Sequence, residues 1–277
     1  MSSIPNQAQS TNWNDGAGPT WVELQPLLDG LFAPLLPVLL DGLDPARVRR
    51  LVDIGCGAGA LTLAAAERLG DAACLGLDIS GPLVAAARAR VPASLADRVA
   101  FAEGDAQTFR FEPESCDAIL SRFGVMFFDD PVAAFANLRG AARPGAGLAF
   151  LAWRAPSENP FMTAAKRATS HLVDFPDQRP DEPGQFGFAD RGRVVAILDR
   201  ADWREVSIEP IDVACTFPAR DVMTYAIRLG PLGPLWPTLD PALQDKLRPI
   251  LAEAFAPFVS GDEVRLSAAC WLGRARA

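Results

Sequence analysis

The 277-residue chain contains one histidine and one tyrosine, His171 and Tyr225. With a single imidazole, the sequence argues against a histidine-based zinc or iron centre, since such sites usually draw several ligands from that side chain. Its five cysteines, at 56, 74, 116, 215 and 270, are odd in number, widely spaced and without a C-x-x-C pair. That usage predicts free thiols in a reducing, cytoplasmic setting and not a disulfide framework. No lysine or arginine precedes Arg47, so the apolar stretch at 24–40 has no basic flank and predicts no signal peptide. Pro26, Asp29, Pro34 and Pro37 interrupt the same stretch and argue against membrane insertion. Cationic patches are scarce as well. The formal net charge is −8, and the densest early basic cluster is Arg47, Arg49 and Arg50, a balance that disfavours nucleic acid as a partner.

What is present is apolar and periodic. Hydrophobic residues make up 49% of the chain and charged residues 22%, enough to bury a large core and too apolar for general disorder. Residues 1–20 are polar and rich in turn formers, and read as a loosely held arm. A helix interrupted by prolines follows to about residue 43. Apolar runs at 50–54, 73–79, 99–102, 116–122 and 147–153 read as buried strands, with helical patterns beginning near 59, 82 and 131. Such alternation predicts an α/β fold with a doubly wound, largely parallel sheet. The rhythm breaks after Trp153. A Pro- and Gly-rich stretch at 155–190 around "FMTAAKRATSHLV" reads as a cap insert, after which "RGRVVAILDRADW" fits a helix and "EVSIEPIDV" a strand. A helical insert at about 219–258 precedes the last strand, "VRLSAACWLGRA", for seven strands in all. The expected organisation is an arm and helix at 1–43, a core at 44–154, a cap at 155–190, and the remainder of the sheet at 191–277.

The stretch "LVDIGCGAGALTL" carries the chemistry. Gly55, Gly57 and Ala60 satisfy the G-x-G-x-x-G/A spacing of nucleotide-binding turns between a strand and a helix. Asp53 at the strand end opposes a pyrophosphate, which wants backbone N–H groups and no neighbouring carboxylate. It suits a ligand with a cationic amino group. Asp78, in "LGLDIS", ends the second strand about where an acidic residue accepts from ribose hydroxyls; the other reading is a cap for the next helix, a role open equally to Ser80. Asp105, in "EGDAQTF", falls at the carboxyl end of the third strand and suits an exocyclic amine, or is simply turn chemistry.

The runs "VDIGCGAGALTL", "LGLDIS", "EGDAQTF", "CDAILSRFGVMFF" and "LRGAARPGAGLAFLAW" resemble those of class I S-adenosylmethionine-dependent methyltransferases, over about residues 45–155. The segment "SRFGVMFFDDPVAAFANL" is most similar to bacterial small-molecule enzymes related to the ubiquinone and menaquinone biosynthesis methyltransferases. The resemblance implies a Rossmann-like seven-stranded sheet with its last strand antiparallel, and S-adenosylmethionine as cofactor. By position, Asp53, Gly55, Cys56, Gly57 and Gly59 would hold the methionine end and Asp78 the ribose. Ile79, Gly104, Asp105 and Ala106 would meet the adenine, with Ser121 nearby. No Asp/Asn pair of the metal-dependent catechol type is evident, and "SRFG" stands where amino-modifying nucleic-acid enzymes carry N-P-P-Y.

Methyl transfer from a sulfonium is mostly alignment with water excluded. Arg122 would orient an acidic or carbonyl-bearing acceptor, or pair structurally with Asp53 or Asp117. Phe123, Met126 and Phe127 would line an apolar acceptor pocket or belong to the core. Trp13 and Trp21 would close over the cofactor or anchor the arm. His171 and Tyr225 are the candidate bases. Asp130 is expected to cap a helix that opens with Pro131, leaving no metal site at Asp129 and Asp130. The sequence therefore predicts methyl transfer to a small apolar or aromatic acceptor, with a nicotinamide oxidoreductase and a non-catalytic cofactor-binding protein as the alternatives. Oligomeric state stays open.

Overall fold

The computed structural model describes residues 5–177, 179 and 182–277. Its organising element is one mixed sheet. Strands β1 (Arg50–Ile54), β2 (Ala73–Asp78), β3 (Val99–Glu103), β4 (Cys116–Arg122) and β5 (Ala142–Trp153) run parallel, as the near-continuous apolar sequences of the first four suggest. β6 (Arg204–Pro218) and β8 (Glu263–Arg276) complete the sheet, and β8 lies antiparallel to both β5 and β6. The spatial order is β3-β2-β1-β4-β5-β8-β6. An eighth strand, β7 (Val259–Ser260), is a two-residue hairpin partner of β8, too short to leave a pattern in the sequence.

This order places a topological switch between β1 and β4. The chain winds outward through β2 and β3, then returns to β4 and winds the other way, which opens a crevice at the strand carboxyl ends. Ten residues of helix α5 (Ala60–Leu69) follow the glycine turn, with Gly59 in left-handed backbone geometry at its start. Helix α6 (Gly81–Ala89) is capped by Ser80, whose hydroxyl accepts from the Leu83 N–H at 3.3 Å. Asp130 caps α7 (Pro131–Ala141) through the Ala133 N–H at 3.0 Å, with Pro131 at the first helical position, and Asp190 caps α9 (Arg191–Arg200) in the same way.

Two regions stand outside this alternation. At the front, α1 (Gln7–Thr11), a π-helical turn at Asn12–Gly16, α2 (Ala17–Glu23), α3 (Gln25–Phe32) and α4 (Leu36–Leu40) form a chain of short helices, bent by 76° between 7–23 and 25–40. No single helix among the described residues is long and apolar enough to cross a membrane. The second region joins α8 (Pro160–Thr169) to α10 (Val222–Arg228) and α11 (Pro241–Phe255). These helices share a small core of their own, including Ala164, Ala165, Ala226, Leu247, Leu251 and Phe255, separate from the main one beneath the sheet.

The described part of the N-terminal arm is not loose. Asn6 is 2% exposed, with its side chain donating to Asp105 Oδ1 at 2.7 Å and accepting from the Asp129 N–H at 2.6 Å. Asn14 donates to the Ile79 carbonyl and accepts from the Gly81 N–H, while Ser80 Oγ donates to the Trp13 carbonyl. Amides and a tryptophan, not an apolar stripe, dock this segment, which is why its order leaves no periodicity in the sequence. Residues 1–4 of the arm lie outside the described residues.

Candidate functional site

A cavity of about 590 Å³ opens at the switch point. Its floor is built by backbone. Gly55 and Gly57 adopt φ of 67° and 54°, values that favour glycine, so the chain turns between β1 and α5 with little side-chain bulk toward the opening. The turn is held from below by Leu77, whose carbonyl accepts from the N–H groups of Gly55 and Cys56. It is held at its edge by Asp78, which accepts from the Gly57 N–H at 2.8 Å and from the Ser80 N–H at 2.9 Å. Asp78 therefore fixes the glycine turn itself, while Ser80 does the helix capping. Burial raises the pKa of Asp78, and its backbone hydrogen bonds pull in the opposite direction.

Opposite the turn, β4 ends in a tight approach of two backbones. A Cβ on Gly124 would lie 2.5 Å from the Ile54 carbonyl oxygen and 2.7 Å from Gly55 Cα. Ser121, fully buried, ties the same two strand ends by donating to the Ile54 carbonyl at 2.7 Å and accepting from the Gly124 N–H. Phe123 between them has φ of 68°, an uncommon conformation for a bulky residue. Its N–H donates to the Leu151 carbonyl and its ring stacks on Trp153 at 4.1 Å, contacts that hold the strained backbone in place.

The cavity brings together most of the residues singled out in the sequence. Gly55, Cys56, Gly57, Asp78, Ile79, Gly104, Asp105 and Ala106 line it, as do Trp13, Trp21, Arg122, Phe123, Met126, Phe127 and Tyr225. Trp13 packs edge-on against Trp21 at 5.3 Å and Phe127 at 5.4 Å, contacts that tie the arm to the cavity wall. Four residues lie elsewhere. Gly59 packs against Phe101, Ser121 and Asp53 sit behind the wall, and His171 occupies an exposed turn after α8. Tyr225 lies against Phe217 and Phe255, and burial raises its phenol pKa, so it stays protonated near neutrality. Asp105 performs turn chemistry as well, accepting from the Gln107 N–H at 2.9 Å.

Sequence reasoning missed the arm's Asn6 and, deeper in, Asp29, Phe32, Trp153, Phe161 and Arg228, all of which line the cavity. They come from segments read as helix, strand or insert for packing alone, and only the fold brings them to one opening. Asp29 pairs with Arg90, and Arg228 makes a two-pronged pair with Glu23.

Asp53 is the electrostatic oddity. It is 1% exposed; Oδ2 accepts from Thr62 Oγ1 at 2.6 Å and Oδ1 has no partner among the described residues. Burial pushes its pKa up to about 7, against the pull of the Thr62 hydrogen bond and the field of Arg122. An unfolded aspartate titrates near 3.9. The folded carboxyl thus holds its proton to higher pH, so its contribution is fully present below about pH 4 and is lost as pH rises through about 7. The stability gap between the parent and Asp53→Asn should shift against the parent by on the order of 2–3 kcal/mol between pH 5 and 8. Urea unfolding across that range measures it, and a pH-independent gap would remove Asp53 as the titrating group.

Comparisons with known proteins agree with this geometry. Residues 51–145 match the family model described as a methyltransferase domain. Aklanonic acid methyltransferase from Streptomyces sp. strain C5 is 32% identical over 120 residues, 43% of this chain and 54% of that protein. Demethylmenaquinone methyltransferase from Roseiflexus castenholzii is 34% identical over 107 residues, 39% of this chain and 44% of that one. The chain thus spans about half the length of these curated relatives. In fold it is similar to a SAM-dependent methyltransferase from Aquifex aeolicus, with TM-score 0.52 and 19% identity over 70% of this chain and 92% of the other.

Proposed function

We propose that this chain, whose residues 51–145 are a methyltransferase domain of the class I S-adenosylmethionine-dependent type, methylates a small organic acceptor held in the cavity at the switch point. The observation that carries the reading is the joining of two unlike surfaces in one opening: a glycine turn edged by Asp78 and Asp105, and a wall of aromatic side chains. S-adenosylmethionine supplies a methyl group on a sulfonium, so the acceptor gains a bond to carbon, the S–CH3 bond breaks and neutral S-adenosylhomocysteine leaves.

The residues present fit that cofactor. Gly55, Cys56 and Gly57 offer a low backbone cradle for its methionine end, and behind them Asp53, whose Oδ1 has no partner among the described residues, is a buried carboxyl whose ionised form a nearby cationic amino group would favour. Asp78 would take the ribose hydroxyls, and Ile79, Gly104, Asp105 and Ala106 the adenine. Trp13, Trp21 and Phe127, packed edge to face, would exclude water from the opening. The aromatic lining supports an apolar or aromatic acceptor, and the two relatives are named for aklanonic acid and demethylmenaquinone.

The test is direct. S-adenosylhomocysteine should raise the melting temperature where NAD+ does not, and a labelled methyl group should pass from S-adenosylmethionine to an aromatic acceptor in a screened panel. Stabilisation by NAD+ alone would sink the assignment.

A further inference from the structure

The charges around the cavity are unevenly matched. Asp29 is held by Arg90 and by the Gln25 amide, Arg228 by Glu23, and Asp78 and Asp105 by backbone N–H groups. Arg122 is the exception. Its guanidinium makes one long hydrogen bond, 3.5 Å to the Phe32 carbonyl, and otherwise rests over the Phe32 ring at 5.5 Å. It forms no ion pair within 4 Å among the described residues, and a guanidinium carries five N–H donors in a planar fork suited to a carboxylate. Tyr225, on the same lining, makes no hydrogen bond through its hydroxyl among the described residues.

Among the described residues the cavity also lacks a free base. Its carboxylates are engaged as above, His171 lies outside it, and the Tyr225 phenol keeps its proton. An acceptor that arrives ionised needs none. Between the Arg122 fork and the stacked pair of Phe123 and Trp153, the space offers one positive charge beside flat apolar faces.

Building on the methyltransferase reading, we propose that Arg122 is a specificity-determining residue that receives the acceptor as a preformed aromatic anion, with a carboxylate or enolate oxygen on the guanidinium. The ring system lies against Phe32, Phe123 and Trp153. The carboxyls of Asp53 and Asp29 act on the guanidinium only from beyond ion-pair distance, so neutral acceptors of the same shape leave its fork without a direct anionic partner and bind more weakly.

Paired probes test this by calorimetry on the protein saturated with S-adenosylhomocysteine: 2-naphthoate and its uncharged isostere 2-naphthamide. The parent should bind the carboxylate at least about tenfold more tightly. Arg122→Met should erase the preference, and Arg122→Lys should restore part of it, with circular dichroism and cooperative melting verifying that both variants are folded. Equal affinity for the two probes, failure of both to bind, or a preference that survives in Arg122→Met would overturn the proposal. Measuring S-adenosylhomocysteine binding first keeps the two readings apart. Its failure, with naphthoate still preferred by the ligand-free protein, would count against the methyltransferase assignment and not against the anion site.

Discussion

Gly124→Ala should melt about 5–10 °C below the parent protein, the shift expected for an overpacking cost of about 2–3 kcal/mol in a chain of this size. The added methyl would meet the Ile54 carbonyl at 2.5 Å and Gly55 Cα at 2.7 Å, and both are backbone. No side chain can rotate away, so the ends of β1 and β4 must separate. That displaces the glycine turn, and affinity for S-adenosylhomocysteine should fall by roughly tenfold or more. Gly140→Ala is the control, since a Cβ there meets nothing within 4 Å and lies inside α7, where alanine is the better helix former. A Gly124→Ala protein with parental melting and affinity would show that the crossing is slack.

The second large effect is expected at Asp78. Truncation to alanine removes the acceptor for the Gly57 and Ser80 N–H groups together with the carboxylate edging the cavity. Hydrogen bonds to a charged acceptor contribute about 1.5–3 kcal/mol, so S-adenosylhomocysteine should bind roughly ten- to a hundredfold more weakly. Melting should fall too, because the glycine turn loses its lateral support. Asp78→Asn will not rescue fully: its amide offers one acceptor oxygen where the turn uses two carboxylate oxygens. Unchanged affinity by calorimetry, with the fold intact, would take Asp78 out of the binding surface.

The parts legible in the sequence were those written in local pattern. Apolar runs gave five parallel strands within a few residues, and Asp130 before Pro131 announced its helix start. Glycine spacing located the turn, and the order of Asp53, Asp78 and Asp105 pointed to one end of the sheet. What escaped was written in contacts between distant segments. Asn6 reaches Asp105 across 99 positions, and no feature of "SSIPNQ" signals it. Phe32, Trp153 and Phe161 look like core in the sequence, and they are buried; only their shared position beside Phe123 makes them a wall. Asp53 was legible as an acid at the end of the first strand. Its retreat behind the turn, bonded to Thr62, depends on how α5 packs on β1.

The Asn6 contact bears on how long a ligand stays. Its amide donates to the Asp105 carboxylate that would meet an adenine amine, and its backbone N–H reaches Asp129, so Asn6 ties the start of α1 to the cavity lining as a latch would. A helix of five residues has no stability of its own, so once those bonds break the latch opens as a unit. Asn6→Ala should therefore shorten the residence of S-adenosylhomocysteine in stopped-flow displacement while hardly moving the melting temperature, and equal off-rates in the two proteins would leave the gate elsewhere.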